Sequence, residues 1–400
     1  MKLRVVDNHE GEGKFPLFAK GTAVGDLVPC KNTPHWLSCV INGHNTYIPD
    51  TFVVNGALAR DYDPTELMLE AGQVVALVEV VFEWLYVEDE EGKRGWLPAE
   101  KVVSLTWFEI VEGWVKRNAR PLEVAKWDFI FGNGSKEAIL SELLKFQNAD
   151  GGFGNGLEPD LILPHSNSIT SAEAIFTASK YGLDCTGDWF ARLLDCFENS
   201  VQNIPRFWEA VPKEVEDYPR PPWWNYGSDD KFSPNPCAVI AAALILHGTK
   251  TQKQLGLTVA HKCFEFLLSD EFCGDHDSYC LILLVEKLHA AGSDLITDDI
   301  LSAMKQKIKA NVCYDESKWH KYHPQPLNFA HSPISMWHDC VEEGIENNLK
   351  YWMVTTNDDG VWKPHFSWGV DSEAARQATK NWMGAIAVGR MTILRDYGVI

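Results

Sequence analysis

The chain has 400 residues, 45% apolar and 23% charged, the composition of a soluble globular protein with room for two or three domains. A formal net charge of -20 argues against sequence-independent nucleic-acid binding, which needs clustered Lys and Arg, and against an anionic membrane surface. No apolar run reaches the ~18 residues of a transmembrane helix. Met1–Glu10 lacks the apolar core of a signal peptide, and ten cysteines are scattered without a Cys-x-x-Cys pair. The expectation is a cytoplasmic protein with reduced thiols.

The first hundred residues read as short strands punctuated by Gly, Pro, Asn and Asp, with "DEEGKRG" (Asp89–Gly95) as a hairpin turn. Within residues 57–105, "RDYDPTELMLEAGQVV", Trp84 and "RGWLPAEKV" follow one another in the order that resembles a Src homology 3 domain. Residues 1–56 resemble a weaker copy: "HWLSCVINGHNTYIP" takes the matching role, and Tyr47-Ile48-Pro49 parallels Trp96-Leu97-Pro98. The resemblance implies two small all-β barrels and a protein partner bound through them, in that family often a proline-rich helix on a strip of aromatics. Tyr62, Trp84 and Pro98 stand at the matching positions, but Arg60 and Lys101 replace two tyrosines of the strip. A docking or spacer role is therefore expected ahead of proline-rich binding.

From residue 106 the apolar period changes to 3.6. Amphipathic segments such as "ARLLDCFENSVQNI", "TVAHKCFEFLLSDEF", "DDILSAMKQKIKANV" and "CVEEGIENNLKYWMV" alternate with segments apolar on nearly every side, "TSAEAIFTASKYG", "PNPCAVIAAALILHG", "DSYCLILLVEKLHAAG" and "WMGAIAVGRMTILRDYG". A helix apolar all round must be buried all round, so inner helices wrapped by outer ones are predicted. Gly182, Gly248, Gly292 and Gly398 follow the inner helices as left-handed caps. Thr170-x-x-Glu173 reads as a capping box, and a further inner helix is predicted to start near "HSPISMW" (His331–Trp337). Sixteen tryptophans, thirteen of them after Val103, suit either a packed helical core or an aromatic-lined cavity.

Between two of these helices lies "FQNADGGFGNGLEPDL" (Phe146–Leu161), with a weaker copy in "TTNDDGVWKPHFSWG" (Thr355–Gly369). A helix precedes the glycines and Pro159 and Pro164 follow them, which is not the strand–loop–helix order of a phosphate cradle. The glycines read as a corner with positive φ, Asp150 tying turn N–H groups and Gln147 bonding a neighbouring helix end. These segments, with "NARPLEVAKWDFIFGNGSKEAIL" and "YPRPPWWNYGSDDKFSPNPCAVIAAAL", resemble the squalene-cyclase and protein-prenyltransferase toroids, and among them an uncharacterised bacterial branch, over residues 118–400. The resemblance implies an α/α toroid of five or six helical hairpins over residues 106–400. Its central cavity would take an apolar, isoprenoid-like ligand.

In such a toroid the loops entering the inner helices face the cavity mouth. Asp160, His165 and Asp277 are then the candidate catalytic residues, since a carboxyl buried among aromatics can hold a proton for a substrate. Trp223, Trp224, Trp362, His365 and Trp368 are the candidate ligand-binding residues: their rings suit a cation or a sugar, although a tryptophan can also simply plug the ring of helices. His276, His331, Asp358 and Asp359 lie at comparable loop positions. The Asp-x-Asp-Asp element of class II terpene cyclases is absent, and Thr297-Asp298-Asp299 reads as a helix cap. No His/Cys cluster has metal spacing, and neither a metal nor a cofactor is expected. Two alternatives stay open. One is a carbohydrate-active toroid, with Asp160 paired with Asp277 or Asp358 across a groove. The other is a non-catalytic binding or scaffold protein.

Overall fold

Alternating apolar residues make Met1–Ile110 a β unit whose named strands pair antiparallel, and the 3.6-residue period makes Val111–Ile400 a second, helical one. The computed structural model describes the whole chain except Asn32 and residues 228–230, so the "SDD" of the tryptophan–proline loop lies outside the described residues.

The strands are β1 (Lys2–Val5), β2 (Val24–Pro29), β3 (Trp36–Ile41), β4 (His44–Pro49), β5 (Val53–Val54), β6 (Ala57–Leu58), β7 (Val74–Val81), β8 (Trp84–Glu88), β9 (Arg94–Pro98) and β10 (Val102–Ser104). They form sheets ordered β10-β1-β7-β8-β9, β2-β3-β4 and β5-β6. Glu88 opposes Arg94 across the Asp89–Gly95 turn, where Asp89 Oδ1 accepts from Glu91 N and Lys93 N at 2.9 Å. A division at residue 56 is not respected. β1 pairs with β7 and β10, and one core joins Phe18, Trp36, Ile41 and Ile48 to Tyr62, Val81 and Trp96. Each such buried side chain contributes roughly 1.5–3 kcal/mol, which a division at residue 56 would forfeit. The aromatic strip is spent in the same way. Tyr62 is buried with its hydroxyl on Tyr47 O (2.8 Å), Trp84 packs on Trp36, and Arg60 binds Glu79 bidentately while covering Phe52.

The described helices are α1 (Trp107–Asn118), α2 (Pro121–Phe131), α3 (Lys136–Leu143), α4 (Ser168–Tyr181), α5 (Asp188–Ser200), α6 (Pro234–His247), α7 (Lys250–Leu268), α8 (Asp275–Ala290), α9 (Asp298–Asn311), α10 (His338–Val354) and α11 (Glu373–Asp396). The apolar helices pack in chain order, α4 on α6 and α6 on α8; the amphipathic ones do likewise, α5 on α7, α7 on α9 and α9 on α10. Contacts α6–α7 and α8–α9 join the two layers. In α6 the run Cys237–Leu244 is buried without a break, as a helix apolar all round requires. All ten cysteines are free thiols. No described helix is long and apolar enough to cross a membrane.

Three expectations are corrected. The cap of α4 is Asn167, whose side chain accepts from Thr170 N (2.8 Å); Thr170 itself is buried inside the helix, so no box forms at Thr170-x-x-Glu173. Gly182, Gly292 and Gly398 have positive φ, but Gly248 is extended; an added Cβ there would meet Leu244 O at 2.5 Å, so close approach rather than handedness requires this glycine. No helix starts at His331. The segment between α9 and α10 carries Pro324, Pro326 and Pro333, which interrupt a helix, and a buried network replaces it. Asn348 donates to Gln325 Oε1 (2.8 Å) and accepts from Leu327 N (3.0 Å), and Trp352 Nε1 donates to Gln325 Oε1 (2.7 Å).

Candidate functional site

The corner at residues 147–154 sets the position of the two acids that follow it. Gln147 Nε2 donates to Gly151 O and, across to α5, to Trp189 O (2.8 Å), while Arg192 donates back to Gln147 Oε1. Asp150 Oδ1 accepts from Gly152 N (3.0 Å) and Ser166 Oγ (2.8 Å). Gly151 has φ +91°, and a Cβ there would lie 2.2 Å from Arg192 O. The next stretch is pinned by Arg120, which donates to Gly156 O and Leu157 O and is itself held by buried Glu123 at 2.7 and 2.8 Å. Leu157, Leu161 and Leu163 are buried around Glu158 and Asp160, so both acids are held close to the fold interior.

Asp160 is only 2% exposed and accepts the indole N–H of Trp224 (2.9 Å) and of Trp223 (3.2 Å). Trp382 Nε1 also favours its charged form, though without a hydrogen bond of regular geometry. Burial pushes the Asp160 carboxyl up, and the indoles oppose it. Among the described residues no such donor reaches the Glu158 carboxyl. Its free surface faces a cavity of about 480 Å³, and burial, then the Asp160 charge, push its pKa well above the usual carboxylate range. Of the two neighbours, Glu158 is the one that retains a proton to higher pH.

The same cavity is lined by Asp275, His276, Tyr322, Phe366 and Arg390. Burial raises Asp275, and burial lowers His276, whose Nε2 meets Tyr322 Oη at 2.7 Å. Trp223, Tyr322 and Trp382 stand edge-on to Phe366, giving an aromatic wall beneath the carboxyls. Burial lowers Arg390 to about 9.

A second cavity of about 600 Å³ shares Tyr279 and Asn328 with the first and is lined by Lys126, Glu173, Lys180 and His331. Burial, then the Lys126 charge, lower Lys180 to about 8, and burial, then the Lys180 charge, lower His331 to about 4. Glu173 is pushed up by burial against the pull of Lys126 and Arg120.

Of the eight candidate catalytic and ligand-binding residues named from sequence, Asp160, Trp223, Trp224 and His365 line the first cavity and four do not; of the further loop residues, His276 lines the first cavity and His331 the second. His165 is exposed beside Tyr218. Asp277 caps the start of α8, accepting from Gly274 N, Asn235 N and Ser233 Oγ, and does not line the cavity that Asp160 lines. Trp362 is buried with its N–H on Trp352 O, and Trp368 is buried against Ala375 and Ala378. Asp358 and Asp359 are exposed. Asp275, Tyr322, Trp382 and Arg390 escaped sequence reasoning. Arg390 alone left a signal, a cation inside the otherwise apolar "WMGAIAVGRMTIL". Among the described residues no group of three or more His, Cys, Asp or Glu could hold a metal ion.

No family model matches this sequence, and no curated protein matches it. Solved structures similar to the chain include a protein from Actinoplanes, with 11% identity and a TM-score of 0.44 over 72% of this chain and 99% of that one. Type II terpene cyclase MstE from Scytonema is another. Its complex with the product merosterolic acid A gives 9% identity and a TM-score of 0.41 over 72% and 96%, and its apo form 11% and 0.40 over 72% and 88%. At these scores no residue role is carried across.

Proposed function

We propose that residues 106–400 are an α/α toroid holding an apolar, isoprenoid-like small molecule in the aromatic cavity, and that Glu158 transfers a proton to a heteroatom of that ligand. The observation that carries this reading is the acid pair itself. One carboxyl is held by indole donors; the other has no donor among the described residues, and burial, then the neighbouring charge, push its pKa well above the usual carboxylate range in a cavity walled by aromatic rings. Neighbouring acids whose environments separate their pKa values divide into a charged partner and a proton donor. A carboxyl with a raised pKa is a weak acid near neutrality, suited to an ether, epoxide or carbonyl oxygen rather than to a bare alkene. On an epoxide the proton passes to the ring oxygen as one C–O bond breaks, and a chain alkene forms the new C–C bond at that carbon. A carbon-bound proton lost to water leaves a neutral cyclised alcohol. The positive charge carried between these events would meet the rings of Trp223, Trp382 and Phe366. In the toroid reading, α4, α6, α8 and α11 are inner helices, and α4, α8 and α11 all contribute to one or both cavities. The β unit is read as barrels of Src homology 3 type with a docking role.

The test is turnover of an epoxide-terminated farnesyl substrate by the full chain, followed by mass spectrometry. Conversion is expected, with a loss of about 10²–10⁴-fold in Glu158→Gln, the usual weight of a general acid. Conversion unchanged in Glu158→Gln, with the variant shown to be folded by circular dichroism, removes Glu158 from the chemistry. A cavity that takes up no such molecule removes the reading altogether.

A further inference from the structure

Arg390 is a part-buried cation with no counter-ion among the described residues. No described carboxylate forms an ion pair with it: Nη2 meets the ring nitrogen His365 Nε2 at 3.3 Å, and Nη1 is buried with no partner. The guanidinium carbon lies 4.6 Å from the Trp352 ring centroid and 5.3 Å from that of Trp362, so aromatic faces are its main compensation. Aromatic faces are a partial substitute for an anion, and an unpaired buried charge is costly. A guanidinium also offers a planar fork of donors that matches a carboxylate or a phosphate.

Its place on α11 adds a length. Trp382, Ile386 and Arg390 recur every four residues, lie on one face of the helix and all line the first cavity. Trp382 touches the field of Asp160 at one end, Ile386 supplies an apolar step, and Arg390 ends the row about 12 Å away at 1.5 Å per residue. We infer that Arg390 receives an anionic head group, carboxylate or phosphate, on a ligand whose apolar chain runs along Ile386 toward Glu158 and Asp160. This rests on the reading of the cavity as a site for an apolar small molecule and adds which end of the ligand is charged. His365 accepts a hydrogen bond from the fork and so acts as a positioning residue.

The experiment is equilibrium binding to the full chain, read by quenching of tryptophan fluorescence, with three probes that share one chain: farnesol, farnesoic acid and farnesyl phosphate. Both anions are expected to bind at least tenfold more tightly than farnesol; a preference for only one of them identifies carboxylate or phosphate as the head. Arg390→Met is expected to erase that preference while farnesol binds within twofold of its original affinity. In Arg390→Lys, which keeps the charge and loses the fork, the preference falls several-fold without vanishing. Equal binding of all three probes to the unaltered protein overturns the inference and leaves the cavity reading standing, as does a preference that survives in Arg390→Met. If Arg390→Met does not fold, the probe comparison on the unaltered protein and on Arg390→Lys decides. Failure of every probe to bind overturns the cavity reading and this inference together.

Discussion

Acids and bases line both of the cavities that meet at Tyr279 and Asn328, and burial shifts them all by one cause. In the first, burial raises Glu158, Asp160 and Asp275; in the second, it lowers Lys180 and His331. Low polarity disfavours whichever form carries charge, so acids gain protons and bases lose them. The difference lies in what offsets burial. Asp160 is repaid by indole N–H donors, whereas Lys180 has neighbouring Lys126 to repel it and only the charges of Glu173 and Asp396 in its favour.

The largest expected effect separates the ways the two cavities are held. Gly151→Ala puts a Cβ into Arg192 O at a positive φ, beneath the loop that carries Glu158 and Asp160. A loss of roughly 3 kcal/mol or more in unfolding free energy is expected, with the backbone strain and the clash both contributing. Gly182→Ala, at the end of α4 by the second cavity, meets only the mobile tip of Lys136 and takes on left-handed strain, so roughly 1–2 kcal/mol is expected. Denaturant unfolding of both variants checks the ranking; equal losses would break it.

A smaller effect distinguishes the acid kept for the cavity from the one spent on a cap. Asp277→Ala removes the acceptor of Gly274 N and Asn235 N and is expected to cost about 1–2 kcal/mol. Binding of farnesol in the first cavity is expected to stay unchanged. A melting curve and a titration on the same sample measure both; weakened farnesol binding would return Asp277 to the site.

The smallest effects are the slopes of stability against pH, which have opposite signs for Glu158 in the first cavity and Lys180 in the second. Glu158 has a folded pKa above its ordinary 4.5. Between those values the folded state binds more protons than the unfolded one, so stability falls as pH rises from about 4.5 toward the folded pKa. Lys180 has a folded pKa of about 8 against 10.5. In that window the unfolded state binds more protons, so its contribution rises with pH between about 8 and 10.5. Glu158→Gln is expected to flatten the fall on the acid side, and Lys180→Met the rise on the alkaline side. Unfolding free energies across pH 4–10.5 report each slope, and a variant that leaves its slope intact excludes that group as the source.

Much of the helical unit was legible in the chain. The alternation of half-apolar and fully apolar segments anticipated which helices are buried, because a helix without a polar face has no stable place at the surface. The glycines of "QNADGGFG" read as a corner because a helix precedes them and prolines delay the next one. The missing inner helix near His331 was not legible: Gln325, Asn348 and Trp352 come from distant positions and satisfy one another only when folded. The same applies to the β unit, where β1 crosses to strands some seventy and one hundred residues away.

The sequence by itself determined the class of each unit, the corner at residues 147–154 and the acidic tail behind it, since periodicity and the backbone demands of Gly and Pro are local. Only the tertiary structure decided the fate of each acid and ring. Asp160 and Asp277 look equivalent in the chain, yet one meets indoles in a cavity and the other meets backbone N–H groups at a helix start. Trp223 and Trp362 look equally suited to a cavity, yet one lines it and the other is sealed beneath Arg390. Burial, charge and donor supply at a point in space are sums over residues far apart in the chain, and folding is what adds them.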